Sequence, residues 1–453
     1  MKKSILTFVG IFLFIGFGFS QQPKGERTLA WQIDMTENYN YDSAFTYGND
    51  ACMESVHLFF KWTDVESDTS IFNTSFIHNF LDIVNIYYPA WDVKVELQIA
   101  PTNTGVKEVP SELMNLPFDE PLVINRFKIL LDTVFAHIPN VTLAALNIGN
   151  ESDINFGTDA AQYNAYKVFL DSVSNYAKAL YFNLHSTNLN TGTTFTHHGL
   201  THSSTASLCK SVNNGLDIVT VTYYPLNSDF TMKPPSTVSA DFGALVSEYP
   251  DTSQPIYFAE CGYASSTLCN SSETIQADFW TEVFNAWDTY QDNIPYITVF
   301  KSTDWSAAAV NELGEYYNLQ DTIFKEYLRT LGVRTWVGDG TNKEAYERIL
   351  CELNQRDWCE VSCFVTNAND YAMDNMVSVY PNPATNSVVI RFDQKPDQVY
   401  TLKLYNALGQ CVRTNQHITD SFVVERHELK SGTYFYQLGI ENQVYKSGVL
   451  VFN

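Results

Sequence analysis

The chain has 453 residues, which is too long for one average domain and predicts two or three. Its 51 acidic and 27 basic residues give a formal net charge of -24, which argues against nucleic acid and anionic membrane surfaces as partners and leaves neutral substrates open. Hydrophobic residues make up 45% and aromatic residues 14%, so the chain can build a large core and is not globally disordered.

The first 20 residues predict a signal peptide. Lys2 and Lys3 give a positive start, and an apolar run follows from Ile5 to Phe19. Ser20 then offers a small residue before the polar Gln21. The run is shorter than the roughly 20 residues that a membrane span needs, which favours a removable signal over the alternative of an N-terminal anchor. No later segment is apolar enough to span a bilayer, so we expect an exported protein without a membrane span.

Residues 21–335 alternate apolar runs with helical patterns, which indicates an α/β fold. The eight runs predicted as strands are Leu29–Ile33, Ser55–Phe60, Asp92–Ile99, Val141–Ile148, Ala179–Leu184, Leu216–Thr222, Pro255–Ala259 and Tyr296–Phe300. The clearest helical patterns are Ile77–Tyr87, Val123–Phe135, Ala160–Tyr176 and Ser272–Tyr290. Near-continuous apolar strands separated by helices are typical of a parallel sheet covered on both faces. Eight such units predict a (β/α)8 TIM barrel. The alternative is an open doubly wound sheet, but no Gly-rich phosphate loop follows the first strand.

Residues 336–375 are predicted to form a Cys-containing appendix and a linker. One helix is expected from Asn342 to Leu353, and the stretch from Phe364 to Asn375 is rich in Asn and Asp. An exported chain permits disulfides, and the appendix lacks the close Cys pairs and the nearby His of a zinc site. Cysteines that lie close together in sequence are therefore expected to form local disulfides, and the candidates are Cys261, Cys269, Cys351, Cys359 and Cys363.

Residues 376–453 change to a period-two alternation with short turns. The predicted strands are Val377–Tyr380, Ser387–Phe392, Tyr400–Tyr405, Phe422–Glu425, Thr433–Leu438 and Lys446–Phe452. Strands this short and close together, with no helices between them, predict a small antiparallel β-sandwich.

Three ordered motifs in this tail resemble the C-terminal sorting domain of the type IX secretion system. They are Val379–Pro383, then Leu404–Asn406 with Leu408–Gly409, then Leu429 with Ser431–Tyr434. The resemblance implies that the type IX machinery is a partner, and that the protein is secreted or attached to the outer cell surface. An ordinary carbohydrate-binding sandwich is the alternative.

Two glutamates end predicted strands of the barrel. Glu151 follows the fourth predicted strand and Glu260 follows the seventh. Because the carboxyl ends of barrel strands converge at one mouth, both side chains are expected in the active site. Paired carboxyls are what glycoside hydrolysis requires, with the retaining route at about 5 Å separation and the inverting route at about 6.5–9.5 Å.

With Asn150 before Glu151, this pattern resembles the large clan of retaining glycosidases built on TIM barrels. The resemblance implies that Glu260 is the nucleophile, Glu151 the acid/base, and Asn150 a donor to the sugar 2-hydroxyl. It also implies a sugar-stacking role for Trp305.

Strand six carries two further candidates. The clan places a Tyr or His against the nucleophile there, and either Tyr223 or Tyr224 matches that position. Residues 217–225 and 255–263 are similar to endo-β-1,4-galactanases in particular.

The sequence also departs from the clan. Lys61 and Trp62 stand where strand two commonly ends in an Arg beside the nucleophile. Trp62 is a candidate sugar platform, with core packing an even alternative, and Asp34 is placed to hydrogen-bond substrate. His198 and His202 have helical metal-ligand spacing, but their Thr, Gly and Ser neighbours favour a loop over a metal site.

These patterns predict a secreted retaining glycoside hydrolase that cleaves a β-linked polysaccharide or oligosaccharide, in endo fashion and without cofactor or metal. The missing Arg leaves open a non-catalytic glycan-binding protein on a glycosidase-like barrel. A structural surface protein with incidental glutamates is a third possibility.

Overall fold

The computed structural model describes residues 21–38, 40–68, 71–361, 363, 377–392, 400–406, 410–418, 421–427, 429–440 and 443–453. The predicted signal peptide 1–20, the predicted linker 364–375 and the Leu408–Gly409 motif lie outside the described residues. The chain divides into two compact units, one up to Cys363 and one from Phe364 onwards.

The first unit is built around a parallel sheet that closes on itself. Its strands are β1 (Thr28–Trp31), β2 (Ser55–Lys61), β3 (Lys94–Asn103), β4 (Leu143–Asn150), β5 (Thr191–Gly192 and Thr194–Thr196), β6 (Val219–Tyr223), β7 (Ile256–Cys261) and β8 (Tyr296–Val299). Each strand pairs in parallel with its neighbours in chain order, and β1 pairs with β8. The first piece of β5 pairs with β4 and the second with β6, which closes the ring. The predicted (β/α)8 barrel is confirmed.

The outer layer consists of eight helices. They are α1 (Tyr41–Asp50), α2 (residues 74–90, with a π-turn at Ile77–Leu81), α3 (Pro121–His137), α4 (Ala160–His185), α5 (Ala206–Asn213), α6 (Val238–Glu248), α7 (Glu273–Thr289) and α8 (Glu344–Gln355). Local sequence signals start several of them: Pro121 opens α3, and the side chains of Asp159 and Ser272 accept backbone N–H groups at the first turns of α4 and α7.

Shorter elements decorate the loops. The helices are Trp62–Val65, Ser152–Phe156, His197–Thr201, Ala307–Tyr316 and Thr322–Arg329, with single 3-10 turns at Ser111–Leu113, Pro235–Thr237 and Thr267–Cys269. Glu66–Asp68 pairs with Ile71–Phe72, and Val106–Lys107 runs antiparallel to the end of β3.

The predicted fifth strand, Ala179–Leu184, is wrong because these residues form the last turns of α4. Their pattern has helical period: Ala177 and Tyr181 are buried, whereas Phe182 and Leu184 are exposed. The actual β5 is Thr-rich and short, so it lacks the apolar run on which the prediction depended.

Helix α8 lies in the segment predicted as an appendix, yet it packs against α7 in the outer layer of the barrel. Immediately after it, the Arg356 guanidinium bonds Asp288 of α7 at 3.0 Å. Asp288 also accepts a 2.7 Å hydrogen bond from Arg27, just before β1. This buried cluster ties the two ends of the first unit to α7.

Two disulfides add to this connection. Cys351–Cys363 is local, with a sequence separation of 12, as predicted for this cluster. Cys359 instead bonds Cys52, 307 residues away, because the chain after α8 returns to the end of α1. The expected participation of Cys261 and Cys269 in a disulfide is wrong, since both are buried free thiols.

The second unit is a small antiparallel β-sandwich, as predicted. One sheet contains β9 (Val377–Tyr380), β10 (Ser387–Phe392) and β13 (Ser421–Glu425), and the other contains β11 (Tyr400–Tyr405), β12 (Cys411–Ile418), β14 (Gly432–Ile440) and β15 (Gln443–Phe452). Val388, Ile390, Leu402, Leu404 and Leu438 fill its core. Over the described part of the whole chain, no helix has the length and apolarity needed to cross a bilayer.

Candidate active site

Glu151 directly follows β4 at the mouth of the barrel. Its backbone is left-handed, with a φ of 47°, and this turn carries the side chain away from the strand. Oε1 accepts a 2.7 Å hydrogen bond from Thr222 on β6, and Oε2 accepts a 2.8 Å bond from Thr104 after β3. Burial raises the pKa of this carboxyl, while the two threonine hydroxyls act in the opposite direction. The carboxyl is thus held from two sides in a setting that favours its protonated form.

Glu260 lies near the end of β7 and is only 8% exposed. Its Oε2 accepts a 2.5 Å hydrogen bond from the hydroxyl of Tyr224, which follows β6 directly. Burial, and then repulsion from the charge of Glu151, raise the pKa of Glu260 to about 7. In the sheet register Glu260 is the partner of Thr222, the residue that bonds Glu151. The fold therefore brings the two predicted carboxyls together at one mouth.

Asn150 is buried beside Glu151, and barrel residues hold both ends of its amide. Oδ1 accepts a 2.9 Å bond from Gln98, and Nδ2 donates a 3.0 Å bond to Asn103, both on β3. An amide nitrogen carries two hydrogens, so one donor position of Asn150 is left for another acceptor.

Trp305 and Asp34 lie in the segments that follow β8 and β1, around a buried lysine that was not predicted. The Lys301 ammonium lies 3.9 Å from the centre of the Trp305 ring and 3.4 Å from Oδ2 of Asp34. Burial lowers the pKa of Lys301 to about 8, although Asp34 acts in the opposite direction. Neighbouring Asp304 is engaged in a 2.6 Å ion pair with Lys343, which fixes it in the structure.

Two of the candidate substrate contacts, Tyr223 and Trp62, are buried away from the mouth. Tyr223 is buried on the outer side of β6: its hydroxyl donates a 2.9 Å bond to Asp241 of α6, and its ring packs on Phe242. Neighbouring residues of a strand face opposite sides, so Tyr224 faces the mouth and Tyr223 cannot. Trp62 is fully buried, with Nε1 donating to Glu66 at 3.0 Å, and is a core residue.

The barrel interior contains an ionic pair that sequence reasoning missed. His57 on β2 contacts Glu96 on β3 through Nδ1, and Glu96 also accepts a hydrogen bond from Asn147 on β4. Burial opposes the charged imidazole, but the Glu96 carboxylate outweighs it, and the pKa of His57 is raised. The charge of His57 in turn lowers the pKa of Glu260. His57 stands inside an apolar run, where only the sheet register reveals its partner.

The histidines after β5 do not form a metal site with other ligands. The His198 and His202 rings stack with their centres 4.4 Å apart. Among the residues that the structure describes, no group of three or more His, Cys, Asp or Glu side chains could hold a metal ion.

Comparison with known proteins identifies the second unit. The family model of the secretion system C-terminal sorting domain matches residues 378–451. This confirms the type IX resemblance and indicates that the protein is secreted or attached to the outer cell surface. A search of curated protein sequences found no match.

The barrel is similar in fold to solved glycoside hydrolases. An exo-β-1,4-mannosidase from Opitutaceae bacterium strain TAV5 matches with a TM-score of 0.54 and 12% identity, over 72% of this chain and 59% of that protein. A GH5_18 enzyme from Bifidobacterium longum subsp. longum, solved in complex with Manβ1-4GlcNAc, matches with a TM-score of 0.54 and 14% identity, over 74% of this chain and 80% of that protein. A GH5_18 enzyme from Streptomyces cattleya, solved with the same disaccharide, matches with a TM-score of 0.53 and 13% identity, over 74% of this chain and 82% of that protein. At these identities the similarity establishes the fold that the chain shares with them.

Proposed function

We propose that the protein is a secreted, retaining glycoside hydrolase that cleaves a β-linked glycan. The observation that carries this proposal is the pair of carboxyls, Glu151 after β4 and Glu260 on β7, each held by hydroxyl donors and each with a raised pKa. Two carboxyls at one mouth, one able to keep a proton while the other ionises, are the requirement of glycoside hydrolysis. The glycosidase fold of the solved neighbours supports the same class.

In the first step Glu260 attacks the anomeric carbon while Glu151 gives its proton to the leaving oxygen. The bond between that carbon and the leaving sugar breaks, and a glycosyl ester forms on Glu260. In the second step the Glu151 carboxylate takes a proton from water, the water oxygen attacks the same carbon, and Glu260 leaves. The sum is one glycosidic bond and one water consumed, with the configuration retained.

The groups around the pair fit this division of roles. Tyr224 and His57 both lower the pKa of Glu260, so they favour its ionised form. Burial is the largest influence on Glu151 and raises its pKa, which favours the protonated form of this carboxyl. Because the two carboxyls interact, the first pKa is a property of the pair and not of one residue. Tyr224 and His57 favour loss of that first proton from Glu260.

The remaining groups provide the sugar site. Trp305 offers a half-buried ring for stacking, and Asp34 offers a carboxylate beside Lys301. The second donor position of Asn150 is assigned to the sugar 2-hydroxyl. A non-catalytic glycan-binding protein is the rival function. The specific observation behind it is that Lys61, not Arg, ends β2, and that its ammonium lies between Asp64 and Glu108, at 3.7 and 3.9 Å.

The test is hydrolysis of a panel by the purified full-length mature chain. The panel contains 4-nitrophenyl β-mannoside, β-glucoside, β-galactoside and β-glucuronide, together with β-1,4-mannan and β-1,4-galactan. Glu151→Gln and Glu260→Gln are compared with Glu26→Gln, an exposed glutamate before β1. We expect both site variants to lose activity and the control to keep it, and product NMR to show retention. Glycan binding without cleavage by the wild type would establish the rival function.

A further inference from the structure

The chain between β8 and α8 takes a long excursion over the mouth of the barrel. We call residues 306–329 the roof segment; it contains the helices Ala307–Tyr316 and Thr322–Arg329. Ser306 caps the first helix by accepting the backbone N–H of Ala309 at 3.1 Å. The segment therefore starts in a defined orientation directly after Trp305.

The end of the first helix is fixed on the far side of the mouth. The Tyr316 hydroxyl donates a 2.5 Å bond to Glu108 and accepts a 3.2 Å bond from Asn103 at the end of β3. Its ring centre lies 5.2 Å from the ammonium of Lys61, at the end of β2. Glu108 also accepts a hydrogen bond from Thr63 after β2. The helix is thus anchored to loops that are distant from β8 around the ring.

The same segment lies close to both carboxyls. Tyr317 is hydrogen-bonded to Thr104, which holds Glu151, and burial together with the charges of Glu151 and Glu260 raises the pKa of Tyr317 to about 12. In the second helix, Tyr327 is buried with its ring centre 5.8 Å from that of Tyr224, the residue that bonds Glu260.

The order of strands gives these contacts a consequence for substrate shape. β4 and β7 carry the two carboxyls and divide the ring into a short arc, β5 and β6, and a long arc, β8, β1, β2 and β3. A glycan cleaved at an internal bond must extend from the carboxyls over both arcs. The roof segment leaves β8 and is bonded at β3, so it connects the two ends of the long arc.

We propose that the roof segment closes the long arc and makes the mouth a blind pocket, which accepts one end of a β-linked glycan. This inference rests on the proposed glycosidase function and replaces the endo action predicted from sequence with attack on chain ends. The closed side contains Trp305 with the buried Lys301 and Asp34. The Lys301 ammonium and Oδ2 of Asp34 lie 3.4 Å apart as a buried ion pair, and the Lys301 ammonium lies 3.9 Å from the centre of the Trp305 ring, so this cluster forms the wall of the closed side behind the sugar-stacking ring.

The test compares products from internal and terminal attack by the full-length mature chain. The probes are β-1,4-mannohexaose, β-1,4-galactohexaose and cellohexaose, together with the viscosity of the parent polymers. We expect one mono- or disaccharide from the earliest time point, and little loss of viscosity. Early trisaccharides and tetrasaccharides with a rapid fall in viscosity would overturn the roof proposal alone. Failure to hydrolyse any hexasaccharide or aryl glycoside would overturn the proposed function, and the roof proposal with it.

Variants of the anchor provide the second arm. Tyr316→Phe removes both hydroxyl contacts, and Tyr316→Ala combined with Tyr317→Ala removes the aromatic end of the helix. The matched control is Tyr176→Phe, whose hydroxyl bonds Asp132 at 2.7 Å on the outer helices. We expect a severalfold rise in the fraction of products longer than a disaccharide in the double variant, a smaller rise in Tyr316→Phe, and none in the control. A folded double variant with the wild-type product pattern would contradict the proposal.

Discussion

The Tyr224 hydroxyl donates a 2.5 Å hydrogen bond to Oε2 of Glu260, while the hydroxyl of its neighbour Tyr223 bonds Asp241 on the opposite side of the sheet. Two adjacent tyrosines of the same chemical type thus have different roles, one at the proposed nucleophile and one in the outer layer. The contrast supplies a matched pair of substitutions.

Tyr224→Phe should lower kcat/KM because it removes a donor from the ionised Glu260. Hydrogen bonds to charged groups contribute about 1.5–3 kcal/mol, which corresponds to roughly 10- to 100-fold. The pKa of Glu260 rises when this donor is lost, so the acid limb of the pH–rate profile should move to higher pH. Tyr223→Phe should keep kcat/KM and lower the free energy of unfolding by about 1 kcal/mol. Equal kinetic effects of the two variants would refute the assignment.

The pH dependence should reflect two buried carboxyls. Hydrolysis needs Glu260 ionised and Glu151 protonated, so kcat/KM should follow a bell-shaped profile. Burial raises the pKa of both carboxyls; the rise of the pKa of Glu260 to about 7 also includes repulsion from an ionised Glu151, which the competent form lacks. The pH optimum should therefore lie above about 4.3, the pKa of an ordinary glutamate. Below the acid limb Glu260 is protonated and cannot attack; above the alkaline limb Glu151 has lost the proton that it must donate.

Glu151→Gln separates the two titrations. With a 2,4-dinitrophenyl glycoside the leaving group needs no proton, so formation of the glycosyl ester depends on Glu260 alone. The variant lacks the repulsive charge that helps raise the pKa of Glu260. We expect a single acid limb with a midpoint below about 7 and no alkaline limb, measured as the pre-steady-state release of dinitrophenol. An alkaline limb that persists in this variant would show that the ionisation of a group other than Glu151 produces that limb.

The two tryptophans proposed as sugar platforms should behave differently. Trp305 is half-buried at the mouth, so Trp305→Ala should raise KM severalfold with little change in the free energy of unfolding. Trp62 is fully buried with its ring centre 5.0 Å from that of Phe127, so Trp62→Ala should destabilise the fold by about 3–5 kcal/mol. Chemical denaturation and steady-state kinetics on both variants check this. A stable Trp62→Ala variant with a raised KM would restore its role as a platform.

These cases show which features of the site the sequence can specify. Glu151 and Glu260 could be placed at one mouth because a charged residue ends an apolar strand where packing offers it nothing, and parallel strands bring such ends together. Tyr223 and Tyr224 could not be separated, since a shift of one residue reverses every side chain of a strand. Trp62 was misplaced because β2 ends at Lys61 and a short helix turns the indole into the core.

The remaining parts depend on contacts between distant segments. His57 finds its partner Glu96 only through the β2–β3 register, 39 residues along the chain. The anchor between Tyr316 and Glu108 spans 208 residues and has no local sequence pattern. The short fifth strand was missed for a different reason. It is rich in threonine and lacks the apolar run that marks the neighbouring strands of the barrel.

The two disulfides should contribute unequally to stability. In the chain-entropy account a disulfide stabilises more when it closes a longer loop, and the native pairs span 307 and 12 residues. Replacing both Cys52 and Cys359 by Ser should therefore cost more of the free energy of unfolding than replacing Cys351 and Cys363, within the roughly 2–5 kcal/mol typical of native disulfides. Thermal unfolding under oxidising conditions measures the difference. A larger loss from the short-loop pair would point to packing after α8 as the source of the stability.

The boundary of the catalytic unit should lie after α8 and not at residue 335. Ile349 and Leu353 on α8 are fully buried, and Arg356 bonds Asp288 of α7. A chain ending at residue 335 loses these groups, which exposes the apolar face of α7. Asp288 also loses Arg356 and keeps only its hydrogen bond from Arg27. We expect the 21–335 fragment to be insoluble or unfolded. The 21–363 fragment should fold and hydrolyse the same aryl glycosides at the rate of the full-length mature chain, because the second unit is a separate sandwich. Circular dichroism and initial rates on both fragments decide the matter, and an active 21–335 fragment would place α8 outside the catalytic unit.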